Sequence, residues 1–289
     1  MNRIMNRIMN RILNRLRRAM RTLTFMVLHH GGLRRNRRFR NKHRGGRCFI
    51  LCNGPSVLKQ DLLPLQNEIV MSVSSGHLHK DFERIKPAYH FVPPVTYGMI
   101  TEQDFVQWFE EMDSKLGEAE LFLGSTEYQL VKTHSLFSRR YVNYLCTARQ
   151  FRPNEIGIID ICGLVPIIQS VPIMCLIVAL YMGFKEIYLI GTDHDSLATG
   201  EYKYAFEPTV LQGKDLAVDS EGNIRAPFYD ELKAYLKLWT QYRHIKKIAQ
   251  SNGVTIYNAT AGGILDEFPR VKLVEVLGRG SSVASVSKS

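Results

Sequence analysis

The sequence predicts an α/β protein, a mostly parallel sheet with helices on both faces, preceded by a basic amphipathic N-terminal helix. Short apolar runs such as Cys48–Cys52 and Ile187–Ile190 each stop at a turn built from Asn, Gly or Thr. Strands buried on both faces read this way where a parallel sheet meets its loops. Longer segments with helical spacing separate the runs, which is the alternation of a doubly covered sheet. The charge is segregated: residues 1–47 hold 15 of the 38 Lys and Arg and no acid, leaving 23 basic residues against all 27 acidic ones after it. A mildly acidic body behind a basic arm argues against a nucleic-acid-binding globular face, despite a formal charge of +11.

At 289 residues and 45% hydrophobic positions, the chain can bury one large core, or one core plus a small appendage. Its five cysteines are scattered and mostly lie in apolar runs, which reads as buried thiols in a reducing compartment. Cys48 and Cys52 would share one side of a strand, but no second Cys/His pair completes a zinc site, and no metal ligands are assigned.

Residues 1–46 read as an arm. MNRIMNRIMNRILNRL places Ile4, Ile8, Ile12 and Leu16 beside Met5, Met9 and Leu13, with arginines flanking the apolar stripe. Such a helix lies in a membrane interface, apolar side in the acyl boundary and arginines on anionic headgroups, each worth about 1 kcal/mol. An RNA-binding arm, a partner-binding helix, or a repeat whose true start is Met5 or Met9 are the alternatives. The six-residue run Leu23–Leu28 is too short to span a bilayer, and the arm lacks the unbroken core and cleavage site of a signal peptide. The expected location is cytoplasmic, peripheral on the inner face of the cell membrane. Arg34–Arg47 forms a second basic cluster.

The body, residues 47–277, reads in order. Cys48–Cys52 is the first strand, and it runs into Asn53-Gly54-Pro55-Ser56. Asn53 and Gly54 tolerate unusual backbone angles, Pro55 sets the first turn of the next segment, and the short Ser56 leaves backbone N–H groups open to a phosphate. Glu68–Val73 is a second strand that breaks into Ser74, Ser75, Gly76 and His77; Tyr89–Val92 is a third, closed by two prolines. Thr101–Leu116 reads as an amphipathic helix and Glu120–Leu123 as a strand. Tyr128–Pro153 has no clean period and reads as a lid or acceptor-side insertion, about 126–155.

Val171–Met182 reads as a helix buried under the sheet, with Ser170 and Val171 aiming free N–H groups at an anion. Ile187–Ile190 comes next as a strand ending in Gly191-Thr192-Asp193. A helix over Pro227–Asn252 stops at Gly253, and Val254–Asn258 is the last strand. Residues 278–289, with five serines, read as a disordered tail. Asp193, His194 and Asp195 stand just past a strand end, where a base oriented by a carboxylate would act.

Three blocks then resemble one superfamily: CNGPS at Cys52–Ser56, the SVPIMCLIVALYMGFKEIYLIGTDHD unit with KYAFE beyond it, and IYNATAGGILDEF near the end. It comprises the bacterial sialyltransferases that use CMP-sialic acid, the motility accessory factors that transfer related nonulosonic acids, and the 6-hydroxymethylpterin diphosphokinase-like proteins. The resemblance covers roughly Arg47–Phe268 and implies a Rossmann-like domain holding a nucleotide. It places Asn53, Gly54 and Ser56, with Ser74 and Ser170, on the donor nucleotide; Pro55, Val171 and Thr192, in the same loops and helix start, complete the expected donor-binding set. Tyr204 falls at one of two tyrosine positions that hold the leaving phosphate, and Asp195 stands at the other. The family histidine has only His244 to match it, and His194 is the substitute. The implied activity is a glycosyltransferase with a CMP-nonulosonic acid donor and a lipid-linked or cell-surface glycan acceptor, without a required cofactor. The alternatives are Mg-dependent pyrophosphoryl transfer, or a non-catalytic scaffold of the same fold at the membrane; a homo-oligomer is left open.

Overall fold

The computed structural model describes residues 22–94, 101–199, 205–206 and 227–278, together with positions 9, 13 and 20. Most of the MNRI repeat, Tyr204 and the tail beyond residue 278 lie outside the described residues. Among those described, eight strands form one sheet: β1 (Arg47–Leu51), β2 (Val70–Val73), β3 (Tyr89–Phe91), β4 (Glu120–Gly124), β5 (Val142–Arg149), β6 (Leu164–Pro166), β7 (Glu186–Ile190) and β8 (Thr255–Asn258). Their spatial order is β6-β5-β4-β3-β2-β1-β7-β8, and every neighbouring pair is parallel. The expected Rossmann-like α/β fold is therefore present, with a sheet that is wholly rather than mostly parallel.

The pleat sorts the core into two layers. Ile50, Met71, Tyr89, Phe91 and Phe122 face one side, where they pack against helix α2 (Val171–Tyr181) and helix α3 (Phe228–Ser251). Phe49, Leu51, Val70, Leu121 and Leu123 face the other, toward helix α1 (Glu102–Lys115) and the short helix Leu273–Gly278. Every residue of α2 from Pro172 to Tyr181 is buried, and each large apolar side chain so placed contributes about 1.5–3 kcal/mol. Helix α1 begins on a capping box in which the Thr101 side chain accepts from the Asp104 N–H and Asp104 reaches back to Thr101.

Two expectations are corrected. The aperiodic stretch read as an insertion at 126–155 contains β5, which pairs with β4 from Leu121–Val142 to Gly124–Leu145 and so belongs to the sheet. Its pattern is illegible because buried Asn143 interrupts it; Asn143 donates to the Leu121 carbonyl and accepts from Arg38, partners distant in sequence. The arm boundary also moves. Leu33, Asn36 and Phe39 are buried in the body, and Asn36 donates to the carbonyls of Tyr144 and Ile161 at 3.0 Å. The arginines around them conceal this. Arg38 and Lys42 pair with Glu120, Arg35 lies 3.8 Å over the Tyr141 ring, and Arg47 pairs with Glu68 at 2.5 Å.

Candidate functional site

Strand order determines where a site can form. From β1 the chain steps outward to β6 on one side, then returns to lay β7 and β8 on the other, so the sheet reverses direction between β1 and β7. Loops leaving the carboxyl ends of two such strands diverge around a crevice, the usual ligand position in an open α/β sheet. Here those loops are Cys52–Ser56 and Gly191–Asp195. Right-handed crossover also places the start of α2, which leads into β7, at the same carboxyl edge.

The two loops are locked together by Asp193. Its Oδ2 accepts from the Ser56 hydroxyl at 2.7 Å and its Oδ1 from the Ser56 N–H at 3.2 Å. Burial pushes the Asp193 carboxyl above its ordinary value, and the Ser56 bonds oppose that shift. Both Ser56 donors are therefore engaged by a carboxylate, and the expectation that they stand open to a phosphate is corrected. The role of Gly54 is corrected as well. Its φ is −64°, which any residue adopts, but a Cβ there would lie 1.9 Å from Asp193 Oδ2 and 2.5 Å from the Gly191 carbonyl. Close approach, not backbone freedom, demands glycine. Pro55 opens a 3-10 turn over Pro55–Lys59, as expected of a first-turn proline.

The β8 loop closes the same edge. Thr192 donates its N–H to Thr260 Oγ1 at 3.1 Å, and Ile264 donates to the Asp193 carbonyl at 2.8 Å. Thr192 is thus buried and occupied as a loop tie. Arg270 holds the β8 loop from outside, donating to the carbonyls of Gly262 at 2.8 Å and Gly263 at 2.7 Å. At the other wall, Gln241 of α3 accepts from the Gln169 N–H and donates to the Ile167 carbonyl, fixing the approach to α2. Ser170 caps α2 by position without a side-chain bond to it, and both Ser170 and Val171 are partly exposed.

Buried polar atoms without hydrogen-bond partners among the described residues lie toward β2 and β3. Asn53 is buried; it donates Nδ2 to the Val73 carbonyl at 3.1 Å, and its backbone carbonyl accepts from Ala205 at 2.7 Å. Among the described residues, its Oδ1 has no hydrogen-bond partner, nor have Nε2 of His77 and Nε2 of His90, both buried. The His77 and His90 rings are 6.3 Å apart at 71°. Burial lowers both, His90 to about 3, so both are neutral at physiological pH. His77 Nδ1 donates to the Ser74 carbonyl, which leaves Nε2 as a bare acceptor. Ser74 itself has φ +45°, a left-handed conformation uncommon for serine and typical of functional edges.

His194 shares that conformation at φ +50°. Its Nε2 lies 2.7 Å from the Tyr242 hydroxyl of α3, and its ring meets Trp239 at 6.0 Å. Burial lowers it to about 4 against the pull of Asp195, so the imidazole is neutral. The expected orienting partner was a carboxylate; the group in contact with the ring nitrogen is a phenol. Asp195 precedes the one-turn helix Ser196–Thr199. His244 faces away, stacked on Phe151 at 5.1 Å. The structure thus brings Asn53, Gly54, Pro55, Ser56, Thr192, Asp193 and His194 to one edge. Tyr242, Trp239 and Arg270 join them unanticipated, because helical periodicity shows which face of α3 is apolar and not what meets it. Among the described residues, no three His, Cys, Asp or Glu side chains converge as a metal-binding group.

No family model matches the sequence, and no curated protein matches it. Among solved structures the chain is similar to the sialyltransferase CstII from Campylobacter jejuni in complex with a substrate analogue, cytidine-5'-monophosphate: 15% identity over 79% of this chain and 85% of that one, with a TM-score of 0.42. A second CstII structure, in complex with a trisaccharide acceptor and CMP, shares 15% identity over 78% and 85% of the two chains, with a TM-score of 0.43.

Proposed function

We propose that the protein is a glycosyltransferase that takes a sugar from a nucleotide-activated donor, a CMP-nonulosonic acid being favoured. The carrying observation is the buried Asn53 Oδ1 at the carboxyl end of β1, on its β2 side, which has no hydrogen-bond partner among the described residues. A buried acceptor left unsatisfied costs about 1–3 kcal/mol, and a donor group of a bound nucleotide would remove that cost. In the transfer, an acceptor hydroxyl oxygen attacks the anomeric carbon, the bond from that carbon to the phosphate oxygen breaks, and the nucleoside monophosphate leaves. The hydroxyl proton goes to a base, the role assigned to the neutral His194.

The acceptor is read as a lipid-linked or cell-surface glycan, with the arm on the inner face of the membrane. Supporting this, Phe25 packs on Tyr128 and Tyr144 while Met20, Leu23, Val27 and Leu28 are exposed, so the arm is pinned to the body and still presents apolar surface outward. No helix among the described residues is long and apolar enough to cross a membrane.

The test is CMP release from CMP-N-acetylneuraminic acid by the full-length protein, preceded by a thermal-shift screen over CMP, CDP, UDP, GDP and ATP. A binder at a hundred times its dissociation constant stabilises by about 2.7 kcal/mol. His194→Ala should slow release by roughly two to four orders of magnitude with donor affinity retained. AMP formation from ATP with magnesium would replace this reading by pyrophosphoryl transfer; binding without turnover of any donor would replace it by a scaffold.

A further inference from the structure

We propose that the cleft on the outer side of α3, beside His194, is a binding site for a neutral glycan whose sugar ring stacks on Trp239. It depends on the glycosyltransferase reading only in naming that glycan the acceptor.

The cleft has a volume of about 480 Å³, within the range of small-ligand sites, and its wall includes Tyr235, Trp239, Thr240, Arg243, Ile264 and Asp266. Tyr235 and Trp239 are one helical turn apart, and their rings stack with centroids 5.8 Å apart and planes 27° apart. The indole is pinned at its edge as well, because Nε1 donates to Asp266 Oδ1 at 2.9 Å. On its inner side it meets Tyr242 nearly at right angles, at 6.4 Å and 87°. A rigid, half-buried indole therefore faces the cleft without having to be ordered on binding, which lowers the entropic cost of association.

A pyranose matches this wall. Its C–H face carries slight positive charge and is attracted to the negative face of an aromatic ring, while its rim of hydroxyls needs donors and acceptors. Asp266 and Arg243 stand at the cleft to meet them. Charge selects among sugars. The Arg243 guanidinium is opposed by Glu267, Nε to Oε1 at 2.6 Å, and Asp266 adds a carboxylate, so the wall offers an anionic sugar no uncompensated cation. The occupant is a neutral hexose or N-acetylhexosamine unit.

Position gives the cleft its meaning. The His194 ring abuts Trp239, and Ser196, two residues on, hydrogen-bonds the Tyr235 hydroxyl. A sugar on Trp239 therefore rests on the same indole that His194, the residue assigned as base, meets.

The experiment is a fluorescence titration of the full-length protein with lactose and N-acetyllactosamine, without nucleotide. The chain has two tryptophans, so a Trp108→Phe background isolates Trp239. Saturable change in Trp239 emission is expected. By calorimetry, Trp239→Leu should weaken binding at least tenfold, equivalent to about 1.4 kcal/mol, and Trp239→Phe should retain part of the affinity. Asp266→Asn, which leaves the fold's packing in place, should weaken binding several-fold. Absence of saturable binding to either sugar, undiminished affinity in Trp239→Leu, or CMP competing for the same tryptophan would each overturn the proposal. With no donor present, this result stands apart from donor hydrolysis: transfer chemistry can fail while sugar binding holds, and the reverse.

Discussion

Ser56 and Asp193, 137 residues apart, are joined by two hydrogen bonds across the seam between β1 and β7, and both partners are buried. The pair holds the two loops of the crevice in register, and removing either partner leaves the other unsatisfied. Asp193→Ala should therefore destabilise the fold by about 1–3 kcal/mol. Combined with Ser56→Ala it should show a coupling of roughly 0.5–3 kcal/mol, read from urea unfolding of the four proteins. Additive losses would mean that the bonds are incidental. Gly54→Ala should be harsher still, since the new methyl meets the Gly191 backbone carbonyl, which cannot move aside as a side chain can.

Arg270 offers a second stability test. Four carbonyls of the β8 loop, those of Thr260, Gly262, Gly263 and Leu265, accept from its guanidinium. Arg270→Lys preserves the charge but not the planar fork, so it should recover little of the loss seen in Arg270→Ala. Amide exchange in residues 259–265 should rise in both variants. Protection in the lysine variant equal to that of the wild type would assign the loop's order elsewhere.

The arm can be divided by truncation. Removing residues 1–21 should leave unfolding of the body unchanged and reduce flotation with anionic vesicles. Removing residues 1–46 should prevent stable folding, because it deletes Leu33, Asn36 and Phe39 from the core. Phe39→Ala alone should cost about 3–5 kcal/mol. Equal flotation of the shorter truncation and the full chain would remove the membrane role from the repeat.

Neutral histidines, buried or half-buried, set an acid limit. His43 and His194 are lowered to about 4 and His90 to about 3, burial being the main cause in each. An unfolded histidine titrates near 6.5, so between that value and the folded one the unfolded chain binds more protons and stability rises with pH. The stability is fully present above about 6.5 and is lost as pH falls toward 4. Asp193, raised by burial, has the opposite sign: it holds its proton longer when folded, so its ionisation lowers stability as pH rises past the ordinary carboxylate value. His90→Gln should flatten the fall of the urea midpoint between pH 6.5 and 4; a slope unchanged from wild type would place the acid sensitivity on other groups.

Donor recognition has its own variant. Asn53→Ala removes the unpartnered Oδ1, and it should weaken nucleotide binding at least tenfold, about 1.4 kcal/mol, in the thermal-shift or calorimetric assay. Unchanged affinity would move the nucleotide off this edge.

The parallel α/β fold, and the edge that carries the candidate site, are legible in the order of residues alone. A strand buried on both faces must be an uninterrupted apolar run, and the residues that end it must permit a turn, so β1 and β7 and their loops can be read directly. Capping and terminator residues likewise mark α1 and α3. Pairings between residues far apart in the chain emerge only in the folded molecule. Asn143 reads as a strand breaker until Leu121 and Arg38 satisfy it, and the arginine-rich stretch around Phe39 reads as a solvated arm until Glu120 and Tyr141 accept its charges. Ser56 reads as a free phosphate ligand until Asp193 occupies both of its donors. Local pattern reports what a residue can do, whereas hydrogen bonding saturates, and which partner takes a donor is settled only when the strands are laid side by side.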